Sequence, residues 1–243
     1  MHNDEYCLIM SSCYRFAIAD DHNYWRQVLM DLVRQHFPDS RIVHEARTGT
    51  QVVKFISNAP TEDIPDLVIL DLNMPDLNGF ETSKWLYTNR PAIKIVTLSL
   101  IQDELIAIRL LNYGVRGLLQ KNIEGTELVT AITDVMQGEM YLSIFTDDSN
   151  HPFRPNTYTP GKIKNVLQIW STLSKQEKQV FQLCCSDLPY SKIAREMRLA
   201  NIRDVQRIAA GLFESFEVGN RIELFLLAHK NNLTKLMATE LLK

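Results

Sequence analysis

The sequence predicts two domains: an α/β, doubly wound five-stranded parallel sheet over 13–138, and an all-α, four-helix helix-turn-helix domain over 166–243, with a linker at 139–165. Three observations predict it. Up to about residue 138, short apolar runs alternate with amphipathic helical stretches, the pattern of βαβ units. His151-Pro152, Arg154-Pro155 and Thr159-Pro160-Gly161 then punctuate a stretch without period, where proline blocks helix and stiffens the chain. Beyond it every segment has a helical period.

The elements follow in order. A strand at 15–19 rests on Phe16-Ala17-Ile18-Ala19, and a helix at 24–37 follows the acid pair Asp20-Asp21. A strand at 41–46 and a helix at 50–58 repeat the alternation. The strand at 66–70 is wholly apolar in Leu67-Val68-Ile69-Leu70, as a strand covered on both faces requires. Helix 79–88 begins at Gly79, after the turn Asn73-Met74-Pro75-Asp76-Leu77-Asn78. Strand 94–98, helix 104–113, strand 115–119 and helix 124–137 complete the sheet domain. After the linker, Ser174 with Glu177 three residues on forms a capping box, and Val180, Phe181, Leu183 and Cys184 share one face. Asp187-Leu188-Pro189 breaks that helix and starts another at 190–197. Ala200-Asn201 precedes a third at 203–216, and Val218-Gly219-Asn220 a fourth at 222–230. The tail 233–243, with Leu236, Met237, Leu241 and Leu242, reads as an extra amphipathic turn.

The chain has 243 residues, 45% hydrophobic and 23% charged, which excludes disordered and fibrous classes. No apolar run approaches the roughly 18 residues that span a bilayer, and Met1 to Cys13 lacks a basic start followed by an apolar stretch. A cytoplasmic protein without membrane contact is expected. Cys7, Cys13, Cys184 and Cys185 show no metal-binding spacing and are expected as reduced thiols, the last two half-buried on a helix. The formal net charge of -3 divides unevenly. Residues 1–169 are net acidic and residues 170–243 net basic, so the two parts are expected to meet different partners.

Asp71 ends the most apolar run and stands at the carboxyl end of a strand, where an open α/β sheet keeps its chemistry. Asp20-Asp21, Ser99 and Lys121 end three other runs. A carboxylate accepts a phosphoryl group only if the charge developing in transfer is neutralised, usually by a divalent cation and a fixed ammonium. Asp20, Asp21 and Asp71, with the backbone carbonyl of Asn73, supply oxygen ligands suited to Mg2+. Lys121 supplies the ammonium, and Ser99 a hydrogen bond to a phosphoryl oxygen. A single strand-end Asp is ordinarily a solvated residue, but five chemically matched groups are a site. His22 reads as a helix-start residue. A haloacid-type phosphatase would need a second acid two positions after Asp71, where Asn73 stands.

Asp20-Asp21, Asp71 with Met74-Pro75 and Gly79, Ser99 and Lys121 resemble the receiver domain of bacterial two-component response regulators. The spacing of 28 from Asp71 to Ser99 and 22 from Ser99 to Lys121 is similar to that of the NarL/FixJ/LuxR-type subfamily. Leu173-Ser174 to Glu177, Ile193-Ala194, Val205 and Arg221 to Leu224 resemble its DNA-binding domain. The resemblance implies a flavodoxin-like strand order 2-1-3-4-5 and Asp71 as the phosphoacceptor. It also implies a sensor histidine kinase as donor, promoter DNA as target, a homodimer on activation, and a regulator rather than an enzyme. Two positions depart from the family pattern: Leu100 replaces a small residue after the hydroxyl, and Leu118 an aromatic on the last strand. A leucine at 100 is expected to crowd the phosphoryl pocket, and Leu118 has no hydroxyl to exchange partners.

The DNA reader also departs from pattern. Along 203–217, Arg203 and Arg207 stand against Asp204, Glu214 and Glu217. Lys192, Arg195, Arg198, Arg203, Gln206 and Arg207 remain as candidate DNA contacts, glutamine suiting adenine and arginine guanine. Gly211 in mid-helix, costing roughly 1 kcal/mol relative to Ala, is expected to mark close packing. The competing reading is a phosphorylation-sensing interaction module whose helical domain no longer binds DNA strongly.

Overall fold

A computed structural model describes residues 13–100, 103–121, 124–146, 152–153 and 166–233. Their contacts divide the chain into two units, one of 1–102 with 113–156 and one of 103–112 with 157–243. Cys7 and all of the predicted turn at 233–243 except Leu233 lie outside the described residues.

The first unit is built on a sheet. Its strands are β1 (Arg15–Ala19), β2 (Arg41–Ala46), β3 (Leu67–Asp71), β4 (Lys94–Ser99), β5 (Gly117–Gln120), β6 (Tyr141–Thr146) and β7 (Pro152–Phe153), in spatial order β2-β1-β3-β4-β5-β6-β7. The expected order 2-1-3-4-5 is present. The sheet is nevertheless wider than five strands: β6 adds in parallel to β5, and β7 pairs antiparallel with β6. Residues 141–146, expected as linker, are therefore sheet. All five residues of β3 are buried, as befits a central strand covered on both faces. Edge strand β2 is only partly buried.

Helices α1 (Asn23–His36), α2 (Gly49–Asn58), α3 (Gly79–Asn89) and α5 (Gly125–Met136) belong to this unit. In α1 the buried positions Arg26, Leu29, Met30 and Val33 fall at helical spacing and form one stripe. Its apolar members Leu29, Met30 and Val33, with Leu128, Ala131, Ile132 and Val135 of α5, pack with Phe16, Ile18, Leu67 and Ile69 into one core. Thr48 and Asn78 cap α2 and α3 by accepting from the N–H of Gln51 and Glu81.

The second unit gathers α4 (Glu104–Asn112), α6 (Val166–Thr172), α7 (Lys175–Cys184), α8 (Tyr190–Glu196), α9 (Ile202–Ser215) and α10 (Arg221–Lys230). The capping box is formed: Ser174 Oγ accepts from Glu177 N–H, and the Glu177 carboxylate accepts from Ser174 N–H at 2.8 Å. The Ser174 hydrogen bonds hold the Glu177 carboxyl below its ordinary range. Helix α9 packs on α7 and α8. Its core is an aromatic chain, Trp170 to Phe181 at 5.3 Å and Phe181 to Phe216 at 5.2 Å between ring centres, both edge-on.

After α8 and α9 the chain turns through left-handed residues, Arg198 (φ 53) and Glu217 (φ 49). The turns close by Leu199 N–H to Ala194 O and Val218 N–H to Phe213 O, each 2.9 Å, in place of the glycine usual there. Cys184 and Cys185 are free and buried rather than half-buried, and burial pushes the Cys184 thiol up to about 11. Gly211 is exposed with open space beside it, so it marks no close packing.

Phe181 touches both of its aromatic neighbours, so Phe181→Ala should lower the stability of the second unit by about 3–5 kcal/mol. Urea unfolding followed by near-ultraviolet circular dichroism measures it. A loss under about 1 kcal/mol would show that the aromatic chain does not hold these helices together.

Candidate functional site

Asp20 directly follows β1, Asp71 is the last residue of β3, Ser99 the last of β4, and Lys121 follows β5. These four strands are adjacent and parallel, and their register sets Asp71 beside Leu98 and Ser99 beside Gln120. Parallel pairing thus delivers all four groups to the carboxyl edge of the sheet. Asp20 and Asp71 have no exposed surface, and Ser99 and Lys121 are buried. Lys121 Nζ lies 3.0 Å from Asp20 Oδ2 and 2.9 Å from Asp71 Oδ2. Gly79 is required for this arrangement, because a Cβ there would fall into the backbone of Asp71 and Leu72. The close approach lets Gly79 N–H bond Leu72 O at 3.0 Å and seats α3 against the end of β3.

The charges in the pocket do not balance. Asp20, Asp21 and Asp71 offer three carboxylates, Lys121 one ammonium, and the Asp71 Oδ1 atom is buried with no hydrogen-bond partner. Burial pushes the Asp71 carboxyl above its ordinary value; Lys121 opposes this, and the charge of Asp20 adds to it. Burial alone would lower the Lys121 ammonium, but its bonds to Asp71 and Asp20 prevail and hold it above the usual range. One ligand atom from each of Asp20, Asp21, His22 and Asp71 lies within 4.8 Å of the others. A buried carboxylate oxygen without a donor, beside two further carboxylates, suits an oxygen-seeking cation. A cavity of about 20 Å³, lined by Asp20, Trp25, Leu29, Leu98 and Lys121 among others, has room for about one water.

Arg26 carries no motif that marks it in the sequence. Its guanidinium is 2% exposed; it donates to Glu45 Oε1 at 2.5 Å, to the Asp20 carbonyl at 2.9 Å and to Asn23 Oδ1 at 2.7 Å. It thereby fixes the turn that carries Asp20 and Asp21. The available signal was its place in the apolar stripe of α1, three residues before Leu29 and four before Met30. Asn73, expected as a backbone ligand, is exposed, and its amide favours the charged form of Asp71. Leu100 is 73% exposed, so it does not crowd the pocket as expected, whereas Leu118 is buried in β5.

In the second unit, Lys192, Arg195, Arg198, Arg203, Gln206 and Arg207 are all exposed. Arg203, Gln206 and Arg207 share one face of the first two turns of α9 by their spacing. Asp204 lies in the first turn, where the helix dipole favours a carboxylate, and its N–H donates to the capping Asn201 at 3.1 Å. Glu214 and Glu217 are exposed at the far end. The surface of α9 is therefore basic at its start and acidic at its finish.

A parallel sheet that brings acids, a hydroxyl and an ammonium to one edge defines a receiver-type α/β domain. Residues 16–133 match the response regulator receiver domain. The glycerol metabolism activator of Pseudomonas putida is 25% identical over 217 residues, 88% of this chain and 95% of that protein. The nitrate/nitrite response regulator protein NarL of Escherichia coli (strain K12) is 28% identical over 217 residues, 89% of this chain and 95% of its own length. A solved structure of the Salmonella typhimurium RcsB response regulator covers 91% of this chain and 98% of its own at 20% identity, with a TM-score of 0.48. The first unit thus carries a response regulator receiver domain, and along most of its length the chain is similar to response regulators such as NarL.

The raised Asp71 carboxyl sets a sign for stability against pH. In the native state it keeps its proton to higher pH than in the unfolded chain, so ionisation costs stability as pH rises from the ordinary 3.8 through the raised value. Asp71→Asn, in which Lys121 keeps Asp20 as its partner, should therefore raise stability at pH 7, and the gain should shrink as pH falls toward 4. Urea midpoints of both proteins across pH measure this. A less stable Asp71→Asn protein at pH 7 would mean that Lys121 fully compensates the buried charge.

Proposed function

We propose that the chain is a transcriptional response regulator that takes a phosphoryl group on Asp71 from a histidine kinase and acts through its C-terminal helices on promoter DNA. The observation that carries the reading is Lys121 Nζ within 3.0 Å of both Asp20 and Asp71 in a buried pocket with an excess of carboxylates.

An Asp71 oxygen attacks phosphorus as the phosphorus–nitrogen bond of a phosphoimidazole breaks, and the freed imidazole takes a proton. Lys121 balances charge on the transferring oxygens, and Ser99 donates a hydrogen bond to one of them. Asp20 and Asp21, with Asp71 and the Asn73 carbonyl, would hold Mg2+. The bound cation supplies neutralisation of the phosphoryl charge. Arg26 keeps the acid pair aimed inward by its hold on the Asp20 carbonyl. The phosphoryl group is thus transferred to a side chain of the protein itself, and hydrolysis of the resulting acyl phosphate restores the carboxylate.

For the helical domain, support comes from the exposed basic face at the start of α9, with Lys192, Arg195 and Arg198 on and just after α8. A recognition helix reads base edges with its N-terminal residues, which is the half that is basic here. Glu214 and Glu217 then stand away from the reading end. We infer that a dimer presents two such helices to two half-sites.

Incubation with acetyl phosphate and Mg2+ should add one phosphoryl group by intact mass. The addition should vanish in Asp71→Ala and without divalent cation. An unmodified wild type, or equal addition to Asp71→Ala, would remove Asp71 from the role.

For the output domain, gel shifts on promoter fragments across a salt series should show sequence-preferring binding. Five cations per protomer, Lys192, Arg195, Arg198, Arg203 and Arg207, limit the slope of log K against log salt to about -4.5 per protomer. Arg203→Ala and Arg207→Ala should each weaken specific binding by about 1–3 kcal/mol. Binding that is absent at low salt, or indifferent to both arginines, would favour a protein-docking role for these helices.

A further inference from the structure

The acid pair runs directly into His22, whose imidazole sits at the pocket: Nδ1 lies 2.7 Å from Asp21 Oδ1 and 3.3 Å from Asp20 Oδ1. The side chain is not used to cap the helix. His22 occupies the N-cap position of α1, yet its side chain makes no capping bond, and the imidazole is 62% exposed. The turn is instead held by the His22 N–H, which donates to Asp20 Oδ1 at 2.8 Å.

The independent sign of a ligand is Asp71, with no exposed surface and with Oδ1 lacking any hydrogen-bond partner. Ligand atoms of Asp20, Asp21, His22 and Asp71 all lie within 4.8 Å of one another. Ligands on opposite sides of a first-row cation, each about 2.1 Å away, are about 4.2 Å apart, so a small closure gives one coordination sphere.

We propose that His22 Nδ1 is a ligand of this pocket and that the site therefore binds imidazole-accepting first-row divalent cations of the Co2+ and Zn2+ kind more tightly than Mg2+. The proposal rests on the reading of the pocket as a cation site. Mg2+ prefers oxygen and sheds water reluctantly, so it gains little from an imidazole. Later first-row cations gain strongly from nitrogen, and three carboxylates with one imidazole suit them. Coordination uses the neutral tautomer with its proton on Nε2, and the Nδ1 contact to Asp21 gives way to the cation. Phosphoryl uptake would then respond to which divalent cation is present.

The test uses the untagged full chain. Calorimetric titration should show wild type binding Co2+ at least tenfold more tightly than Mg2+. His22→Ala should lose at least tenfold in Co2+ affinity and less than twofold in Mg2+ affinity. Pulsed electron paramagnetic resonance of bound Mn2+ should show a directly coordinated nitrogen in wild type and none in His22→Ala. Unchanged Co2+ affinity in the variant, or no nitrogen coupling in wild type, overturns the proposal while Mg2+ binding leaves the cation site standing. A wild type that binds neither Co2+ nor Mg2+ overturns the proposal and the cation site together.

Discussion

One ammonium, that of Lys121, holds two buried carboxylates together at the edge of the sheet, and the rest of the first unit is arranged around that constraint. Burying Asp71 against a strand covered on both faces makes its charge costly, while moving it outward would leave nothing to neutralise a transferred phosphoryl group. The fold meets the two demands by bringing Lys121 from the far strand of the motif and by leaving a surplus of negative charge. Such surplus is strain stored at a functional site, retained because the surrounding packing determines it. Gly79 gives close packing under Asp71, and Arg26 ties the acid-bearing turn to β2 through Glu45.

Each unit contains one sealed guanidinium that does comparable work. Arg26 satisfies a strand-end carbonyl and an acid in the first. Arg221, 2% exposed, donates to the carbonyls of Leu183, Cys184, Ser186 and Leu188 in the second. Those carbonyls lie at and just beyond the C-terminus of α7, where the helix leaves acceptors without partners and a negative dipole end. The planar fork of arginine reaches several at once, which a lysine would not. Position 221 thus converts a helix end and the following turn into a rigid base for α8.

Much of this was legible in sequence, for identifiable reasons. Strands 15–19 and 41–46 match their observed bounds, and the clustered residues Asp20, Asp71 and Lys121 stand out because a polar group ending an apolar run has few structural uses. The chain hid what depends on remote partners. Strand β6 looks like linker in sequence because Tyr141–Thr146 becomes a strand only by pairing with β5, and no local period records that. Helix α6, Val166–Thr172, is short and mixed in polarity, and acquires its meaning from Trp170 packing on Phe181. Arg26 escaped because a charged residue in an apolar stripe reads as a boundary of the stripe rather than as its centre. Gly211 misled in the opposite sense, since composition cannot tell a packed glycine from one facing open space.

The departures at 100 and 118 bear on how such a pocket can signal. A modification shifts a conformational equilibrium only through interactions that differ between its two states. Leu118 is sealed in β5 and carries no hydroxyl, so it offers no hydrogen bond to exchange. Under the proposed function, what would change on phosphorylation is charge: the single negative charge of Asp71 would become the larger charge of a phosphoryl group, in a site already short of cations. Lys121 is held by both Asp20 and Asp71, so any redistribution of charge at Asp71 alters its hold on Asp20 as well. The hydroxyl of Ser99 lies on the strand between β3 and β5, and Leu100 follows it into solvent at 73% exposure. Rearrangement that buries Leu100 would add about 1.5–3 kcal/mol of apolar burial to one state only. Under the proposed function, the energy for switching would reside in the Lys121 ion pairs and the end of β4, where the family pattern would have placed it on an aromatic ring.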